Sequence, residues 1–454
     1  MKDQHALRSQ NMSVNMNIQA NSETKSSKAN NANFTTLNYA KGLDQNDPLA
    51  HMRDHFSIPK QASGANEYYF TGNSLGLQPK LAREAVIELL DAWQERGVKG
   101  HFEGEFPWMP YHEFLTEQAA EIVGALPKEV VMMNSLTANL HFMMASFYQP
   151  TNKRSKILIE DHAFPSDHYA VESQLKHHNL DVADNLLLWK PRKGEELLNY
   201  QDLWQLLEQH GDEISLILLP GVQYYTGQVL DIKAITEAAH KIGITVGFDL
   251  AHAAGNVELA LHDWQVDFAC WCSYKYLNSG AGSVAGCFIH QKHVENTHLN
   301  RLAGWWGHDK SSRFKMENTF KPIPTAEGWQ LSNPPVLSLA AVRGSFDTIK
   351  LAGGMSALRQ KSLKLTQYLQ DLLIAELGDS IRIITPQNPS ERGCQLSLMV
   401  NVEGLDGKAM FNALEQNGVT TDWREPNVIR VAPVPLYNSF EDAYHFVRIL
   451  KECI

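Results

Sequence analysis

Between about residue 130 and residue 290, short apolar runs alternate with stretches of helical period, a pattern that admits few folds. SKILIE (155–160), SLILLP (215–220), ITVGFDL (244–250), VDFACWCS (266–273) and VAGCFIH (284–290) read as buried strands, and DIKAITEAAHKIG (231–243) as one of the helices between them. Strand, helix, strand repetition predicts an α/β fold with a mainly parallel sheet. After about 340 the character changes: a long helical stretch, SALRQKSLKLTQYLQDLLIAELG, precedes the strand-like QLSLMVNV and a final helix, EDAYHFVRILKEC. A large domain is therefore expected over 80–335 and a smaller α+β C-terminal domain over 340–454. A chain of 454 residues is also too long for one simple core. Upstream, LAREAVIELLDAWQERG has helical spacing and stops at Gly97. Residues 1–44 are rich in Asn, Ser, Gln and Lys, bury little, and read as a disordered extension. Order is expected to begin near Asp47–Pro48, with 45–79 reaching the small domain or a dimer interface.

Charge narrows the partners. With 40 Lys plus Arg against 51 Asp plus Glu, the net charge is −11, and the mean field repels nucleic-acid phosphate and anionic membranes. An anionic ligand then needs a local pocket. The five cysteines are scattered, and Cys270-x-Cys272 lacks the paired spacing of a zinc site, so no metal is expected. Their odd number fits reduced thiols in a cytoplasmic protein. No apolar run approaches the length of a membrane span. No apolar core follows the first charges, as a secretory signal requires, and the single Arg8 of the extension argues against a mitochondrial leader.

Two neighbouring strand ends carry the chemistry. ITVGF ends at Asp249, with His252 three residues on, and VDFACWC ends at Ser273-Tyr274-Lys275. Ligands of open α/β sheets sit beyond the C-terminal strand ends. A carboxylate and a lysine at two adjacent ends suit pyridoxal 5'-phosphate: the acid pairs with the protonated pyridine nitrogen, and the amine forms a Schiff base. Singly, each residue is more often a cap or a solvated charge. Their combination with His252 and Tyr274, amid Gly- and Ala-rich turns, shifts that balance. In MMNSLTANLHFMMASFY (132–148), Asn134, Ser135 and Thr137 stand at a helix start, where free N–H groups suit a phosphate or an ordinary cap. In HAFPSDHYA (162–170), Phe164 follows a strand end, available to stack on a ring or to pack in a core, and Asp167 either bonds ring substituents or caps a helix.

These segments together resemble the kynureninase family, in the class V aminotransferase-like group of fold type I pyridoxal-phosphate enzymes. The matching stretches include YFTGNSLGLQPK, GHFEGEFPW, SLTANLH, FPSDHYA, GVQYYTGQ, GFDLAHAAGN, CWCSYKYLNSG, GWWGH, RFKM, LSNPP and IRVAPVPLYNSF, in the family's order from about 66 to 440. The resemblance implies Lys275 as the Schiff-base lysine and Asp249 as the pyridine-nitrogen partner. Phe164 is implied on the ring with Asp167 nearby, Leu136, Thr137 and Tyr274 at the phosphate, and His252 beside the cofactor. Trp305 and Asn333 are implied to reach the cofactor region across a homodimer interface. Arg430 is implied to clamp the substrate α-carboxylate, with Ser74, His101 and Asn333 facing its aromatic part. Pro220 stands where some relatives carry a hydroxyl residue. The implied reaction is hydrolysis of the Cβ–Cγ bond of L-kynurenine or 3-hydroxykynurenine, in tryptophan breakdown or NAD synthesis. Lys275, Asp249 and Tyr274, a candidate acid or base, carry the catalysis.

Two other readings compete. A cysteine desulfurase or aminotransferase shares the fold, but a desulfurase needs a reactive cysteine on a mobile loop, and Cys394 heads a strand-like run. A non-catalytic pyridoxal-phosphate-binding regulator needs a DNA-binding module, and the polar first 45 residues do not read as one.

Overall fold

In the computed structural model, residues 34–296 and 299–454 are described. A seven-stranded sheet forms the larger layer. Its strands are β1 (Val130–Met132), β2 (Lys156–Glu160), β3 (Leu186–Trp189), β4 (Ile214–Pro220), β5 (Thr245–Asp249), β6 (Phe268–Trp271) and β7 (Gly286–Ile289), in the spatial order β1-β7-β6-β5-β4-β2-β3. Only β7 runs antiparallel to its neighbours. Successive side chains feed two cores on opposite faces. Leu158, Ile217, Leu219 and Phe248 enter one, and Ile157, Ile159, Leu216 and Leu218 the other. Burial on both faces is why these strands are almost uninterruptedly apolar.

The helices that frame the site are α1 (Leu37–Gln45), α2 (Lys80–Arg96), α3 (Leu136–Phe147), α4 (Pro165–His177), α5 (Ile232–Lys241), α6 (Val336–Leu351), α7 (Gly354–Leu377) and α8 (Phe440–Glu452). The second sheet is antiparallel, with β8 (Ile381–Ile383), β9 (Leu396–Val400), β10 (Asp422–Arg424) and β11 (Val428–Val431) in the order β8-β9-β11-β10. Its core joins Leu398, Ile429 and Val431 to Leu369 and Leu373 of α7 and Phe446 of α8.

Along α6 and α7 the core changes within α7, past the boundary expected near 340. Leu339, Val342, Phe346 and Ile349 of α6 and Leu358 of α7 belong to the large-sheet cluster, which also takes in Cys394, Ala432 and Leu436, whereas Leu365, Leu369 and Leu373 of α7 belong to the small cluster. The reason is close packing of α6 on α2, where a Cβ at Gly344 would stand 2.4 Å from the Leu81 backbone. The expected disorder over 1–44 fails at its C-terminal end: Leu37–Gln45 is a helix with Ala40 fully buried. Thr36 Oγ1 accepts from Tyr39 N, and the Asp44 carboxylate accepts from Phe440 N (2.8 Å) and Glu441 N (2.9 Å), capping α8. Residues 1–33 lie outside the described residues. Tyr68 and Tyr69 pair in parallel with Val419 and Thr420, and Arg53 Nη1 donates to Asp442 Oδ2 at 2.6 Å, while Leu49, Met52, Phe56 and Leu77 of the same segment pack in the large-sheet cluster. Among the described residues no helix is long and apolar enough to cross a membrane.

Candidate active site

Parallel pairing brings Glu160, Pro220 and Asp249 to one edge as the last residues of β2, β4 and β5, with Pro220 directly opposite Asp249. Asp249 also faces Cys270 of β6, four residues before the Tyr274–Lys275 turn. A cavity of about 280 Å³ opens over this edge. The loop that carries Ser74 closes one side, held by Gly76 N donating to Tyr274 O at 2.8 Å. That approach requires glycine, because a Cβ at Gly76 would lie 2.3 Å from the Lys275 carbonyl oxygen.

Lys275 Nζ lies 2.9 Å from His252 Nε2 and 5.9 Å from the centre of the Phe164 ring. Burial first, then the charges of Lys275, Arg430 and Arg424, push the His252 imidazolium well below its usual range, so the ring is neutral. An ammonium only donates, so Nε2 is the acceptor and Nδ1 carries the proton. Among the described residues Nδ1 is buried without a hydrogen-bond partner.

Three carboxyls crowd the floor. Asp249 Oδ1 accepts from Ala251 N at 2.6 Å. Burial, then the Asp249 charge, raises Asp167 well above the carboxylate range, so the proton shared by this pair rests on Asp167. Glu160, only 3% exposed, is pushed up to about 8, mainly by burial and then by Asp249. Burial also raises the Tyr274 phenol, which stays protonated at neutral pH.

A buried acid pair of high proton affinity calls for a cationic N–H, and a pyridinium supplies one. The phosphate has its own seat: Ser135 precedes α3 without a side-chain cap, leaving first-turn N–H groups free, and Thr137 Oγ1 is 2.8 Å from Ser166 Oγ beside them. The donor set therefore fits pyridoxal 5'-phosphate.

Of the expected site residues, Ser74, Leu136, Thr137, Phe164, Asp167, Asp249, His252, Tyr274 and Lys275 line this cavity. Arg430 lies behind it, 1% exposed, with Nη1 donating to Tyr224 O at 2.8 Å and Nη2 2.8 Å from Asp422 Oδ2. His101, Trp305 and Asn333 are not brought to it within one chain. The His101 ring packs 5.0 Å from Trp108, Trp305 Nε1 donates to Arg313 O at 3.3 Å, and Asn333 is exposed. Sequence reading missed Glu160, Tyr224 and Arg424, all of which line the cavity. Glu160 was within reach, since it ends an apolar strand just as Asp249 does.

Residues 358–450 match the family described as the Kynureninase C-terminal domain. The chain is 51% identical over 414 residues to a kynureninase of Koribacter versatilis (strain Ellin345), covering 91% of this chain and 97% of that one. It is also 51% identical over 422 residues to a kynureninase of Flavobacterium psychrophilum, covering 92% and 98%. Among solved structures, a C-DES mutant with glycine covalently linked to its PLP cofactor superposes with a TM-score of 0.72 at 17% identity, over 88% of this chain and 98% of that one. At that identity the likeness speaks for the fold, which is fold type I. Half of all residues kept over nine-tenths of the length, on a fold and an acid–lysine edge of this kind, leave one conclusion: the chain belongs to the kynureninase family.

Proposed function

We propose that this protein hydrolyses the Cβ–Cγ bond of L-kynurenine, or of 3-hydroxykynurenine, giving anthranilate, or 3-hydroxyanthranilate, and L-alanine. The observation that carries this reading is the convergence of Lys275, His252 and Asp249 on one cavity in a chain of this family. The cofactor is pyridoxal 5'-phosphate, which when bound supplies an electron sink for charge released at the substrate α-carbon.

The chain's residues do the remaining work. Asp249 would hold the proton on the ring nitrogen, and Phe164 would cover a ring face. The first-turn N–H groups of Leu136 and Thr137 take the phosphate at the positive end of α3. Lys275 Nζ is the covalent anchor. Nζ would also be the base that takes the α-proton, and neutral His252 keeps it oriented through Nε2. Water then adds to the γ-carbonyl. Its oxygen stays in the anthranilate carboxylate, and a proton is delivered to Cβ, which becomes the alanine methyl. Tyr274 Oη, kept protonated by burial, is the donor assigned to the oxyanion. Arg430 anchors the grip on the α-carboxylate, with Ser74 at the aromatic part.

A desulfurase reading fails on its nucleophile. Cys394 is 1% exposed and its thiol is pushed up to about 12 by burial, so no reactive thiolate is offered. We also assign a homodimer. It is supported by the exposure of Trp305 (42%), Phe314 (59%), Met316 (74%) and Phe102 (69%), on the segments that carry the site residues missing from the cavity. The domain division we favour keeps α6 with the large cofactor-binding domain and starts the small one at α7. Five unbridged cysteines support a cytoplasmic site of action, in tryptophan breakdown or pyridine-nucleotide synthesis.

The test is the Lys275→Ala variant. It should fold, lack the absorption band of lysine-bound cofactor, and release no fluorescent anthranilate from L-kynurenine, while the wild type does both. A variant that kept the band would remove the central assignment.

A further inference from the structure

The two arginines behind and beside the cavity differ in their access to it. Arg430 Nε donates to Asp422 Oδ1 at 3.2 Å, Nη1 donates to Tyr224 O at 2.8 Å, and Nη2 lies 2.8 Å from Asp422 Oδ2 as an ion pair without making a hydrogen bond among the described residues. Its side chain is 1% exposed and does not line the cavity. Arg424 lines the cavity with Lys275 and Tyr224, and its side chain is 35% exposed. Arg424 Nη2 donates to Asp422 Oδ2 at 3.1 Å, its Nη1 reaches the Trp423 carbonyl only at 3.4 Å, and its Nε is buried with no hydrogen-bond partner among the described residues.

Two guanidinium groups thus share one carboxylate, which leaves one positive charge uncompensated. Pairing in the second sheet fixes this arrangement, because Asp422 lies opposite Arg430, and Arg424 opposite Val428, in the β10–β11 ladder. Burial and the Arg430 charge both disfavour the Arg424 cation, a cost that an anion between the two would relieve. A guanidinium with free, forked donors matches a carboxylate in two parallel hydrogen bonds.

We propose that Arg424 is a second residue for the substrate α-carboxylate beside Arg430, the one whose side chain lines the cavity, with Asp422 shared between the two. The proposal rests on the reaction proposed above. It makes the carboxylate grip a property of the small sheet as a unit, with Asp422 as the hinge pin of two arginines.

The experiment compares wild-type, Arg424→Gln and Arg424→Lys holoenzymes with two probes read from the bound-cofactor absorption. L-Alanine carries the α-carboxylate, and kynuramine, the decarboxylated form of kynurenine, lacks it. Loss of a charged hydrogen-bonded contact should weaken L-alanine binding by about 10- to 100-fold in Arg424→Gln, with Arg424→Lys recovering part of it. Kynuramine affinity should stay within about twofold, and the cofactor band of the ligand-free variants should be unchanged. The KM for L-kynurenine should rise with the L-alanine constant. Equal weakening of both probes would mean that Arg424 only supports the structure, and no weakening of either would mean that its donors meet nothing; each overturns the proposal. If the wild type releases no anthranilate from L-kynurenine, the proposed reaction falls, and the L-alanine comparison still decides Arg424.

Discussion

Glu160 puts a third carboxyl beside Asp167 and Asp249, where a hydrogen bond from its own backbone does not offset its burial and the Asp249 charge. With its proton held to about pH 8, it stays neutral in the fold while it ionises in the unfolded chain from about pH 4.5 upward. A buried acid with a raised pKa therefore costs stability as pH climbs, by up to about 1.4 kcal/mol per unit across that window, and costs nothing extra below it. Glu160→Gln is neutral at every pH. In cofactor-free protein, its urea-unfolding stability should match the wild type near pH 4.5 and exceed it by a growing margin toward pH 8. A margin that stays constant with pH would show that Glu160 titrates normally. The same residue marks how far the site was legible. Asp249 and Lys275 stood out because two apolar strands end on them at adjacent edges. Glu160 ends such a strand too, but the following Asp161 and His162 make the trio look like a solvated turn. Arg424, in TTDWREPN, looks like a loop charge until the β10–β11 register sets it beside Arg430. His101, Trp305 and Asn333 entered only through resemblance, and one chain alone does not bring them to the cavity.

Asp267 ties three elements together just before β6. Its carboxylate accepts from Val246 N of β5 at 2.8 Å, and it meets His240 Nε2 of α5 and His293 Nε2 at 2.8 Å each and Lys292 Nζ at 2.7 Å. Burial alone would raise this acid, but the histidine bonds and the lysine charge outweigh it and hold it far below the usual carboxylate range. A depressed carboxyl stabilises the fold above its unfolded pKa, and that stabilisation is lost as pH falls below about 4. Asp267→Asn should therefore lose roughly 3 kcal/mol at pH 7, the cost of breaking a buried charged network, with the gap closing as the pH is lowered through 4 toward 3. Thermal scans of both proteins across that range would show it, and a gap that stayed open in acid would contradict the linkage. At this scale the reading succeeded where burial on two faces wrote itself into the sequence, as in β2, β4, β5, β6 and β7. It missed β1, a run of only three residues, and β3, an edge strand in which only Trp189 is buried. It missed α1 for another reason. The nine-residue helix has little intrinsic stability, and its anchor, Asp44 on α8, bonds across 396 residues of chain.

The site lies where two cores meet, and the division has a chemical meaning. The large sheet supplies Lys275, Asp249 and the α3 N-terminus, which suit the cofactor, while the small sheet supplies the Arg424–Asp422–Arg430 unit, which suits the substrate carboxylate. What neither core supplies is a wall for the aromatic end of the substrate. The residues expected there, His101 and Asn333, and Trp305 expected at the cofactor, lie outside the cavity, and near them Phe102 and Phe314 are 69% and 59% exposed. Trp305 and Phe314 already pack edge to face at 5.6 Å, forming an apolar tip that is 42% and 59% exposed among the described residues. A second copy related by twofold symmetry would cover the tip and complete both sites at once, because an isologous contact presents each patch to its twin. This arrangement makes a sharp prediction for mixed dimers. Lys275→Ala and Asn333→Ala proteins, each inactive or severely impaired alone, would be unfolded together, refolded as an equal mixture and assayed. If Asn333 serves the partner's site, each heterodimer contains one intact site and one doubly altered site, and random pairing should restore about a quarter of the wild-type activity per chain. If each chain builds its own site, every site in the mixture carries one lesion, and the activity stays at the average of the two parents.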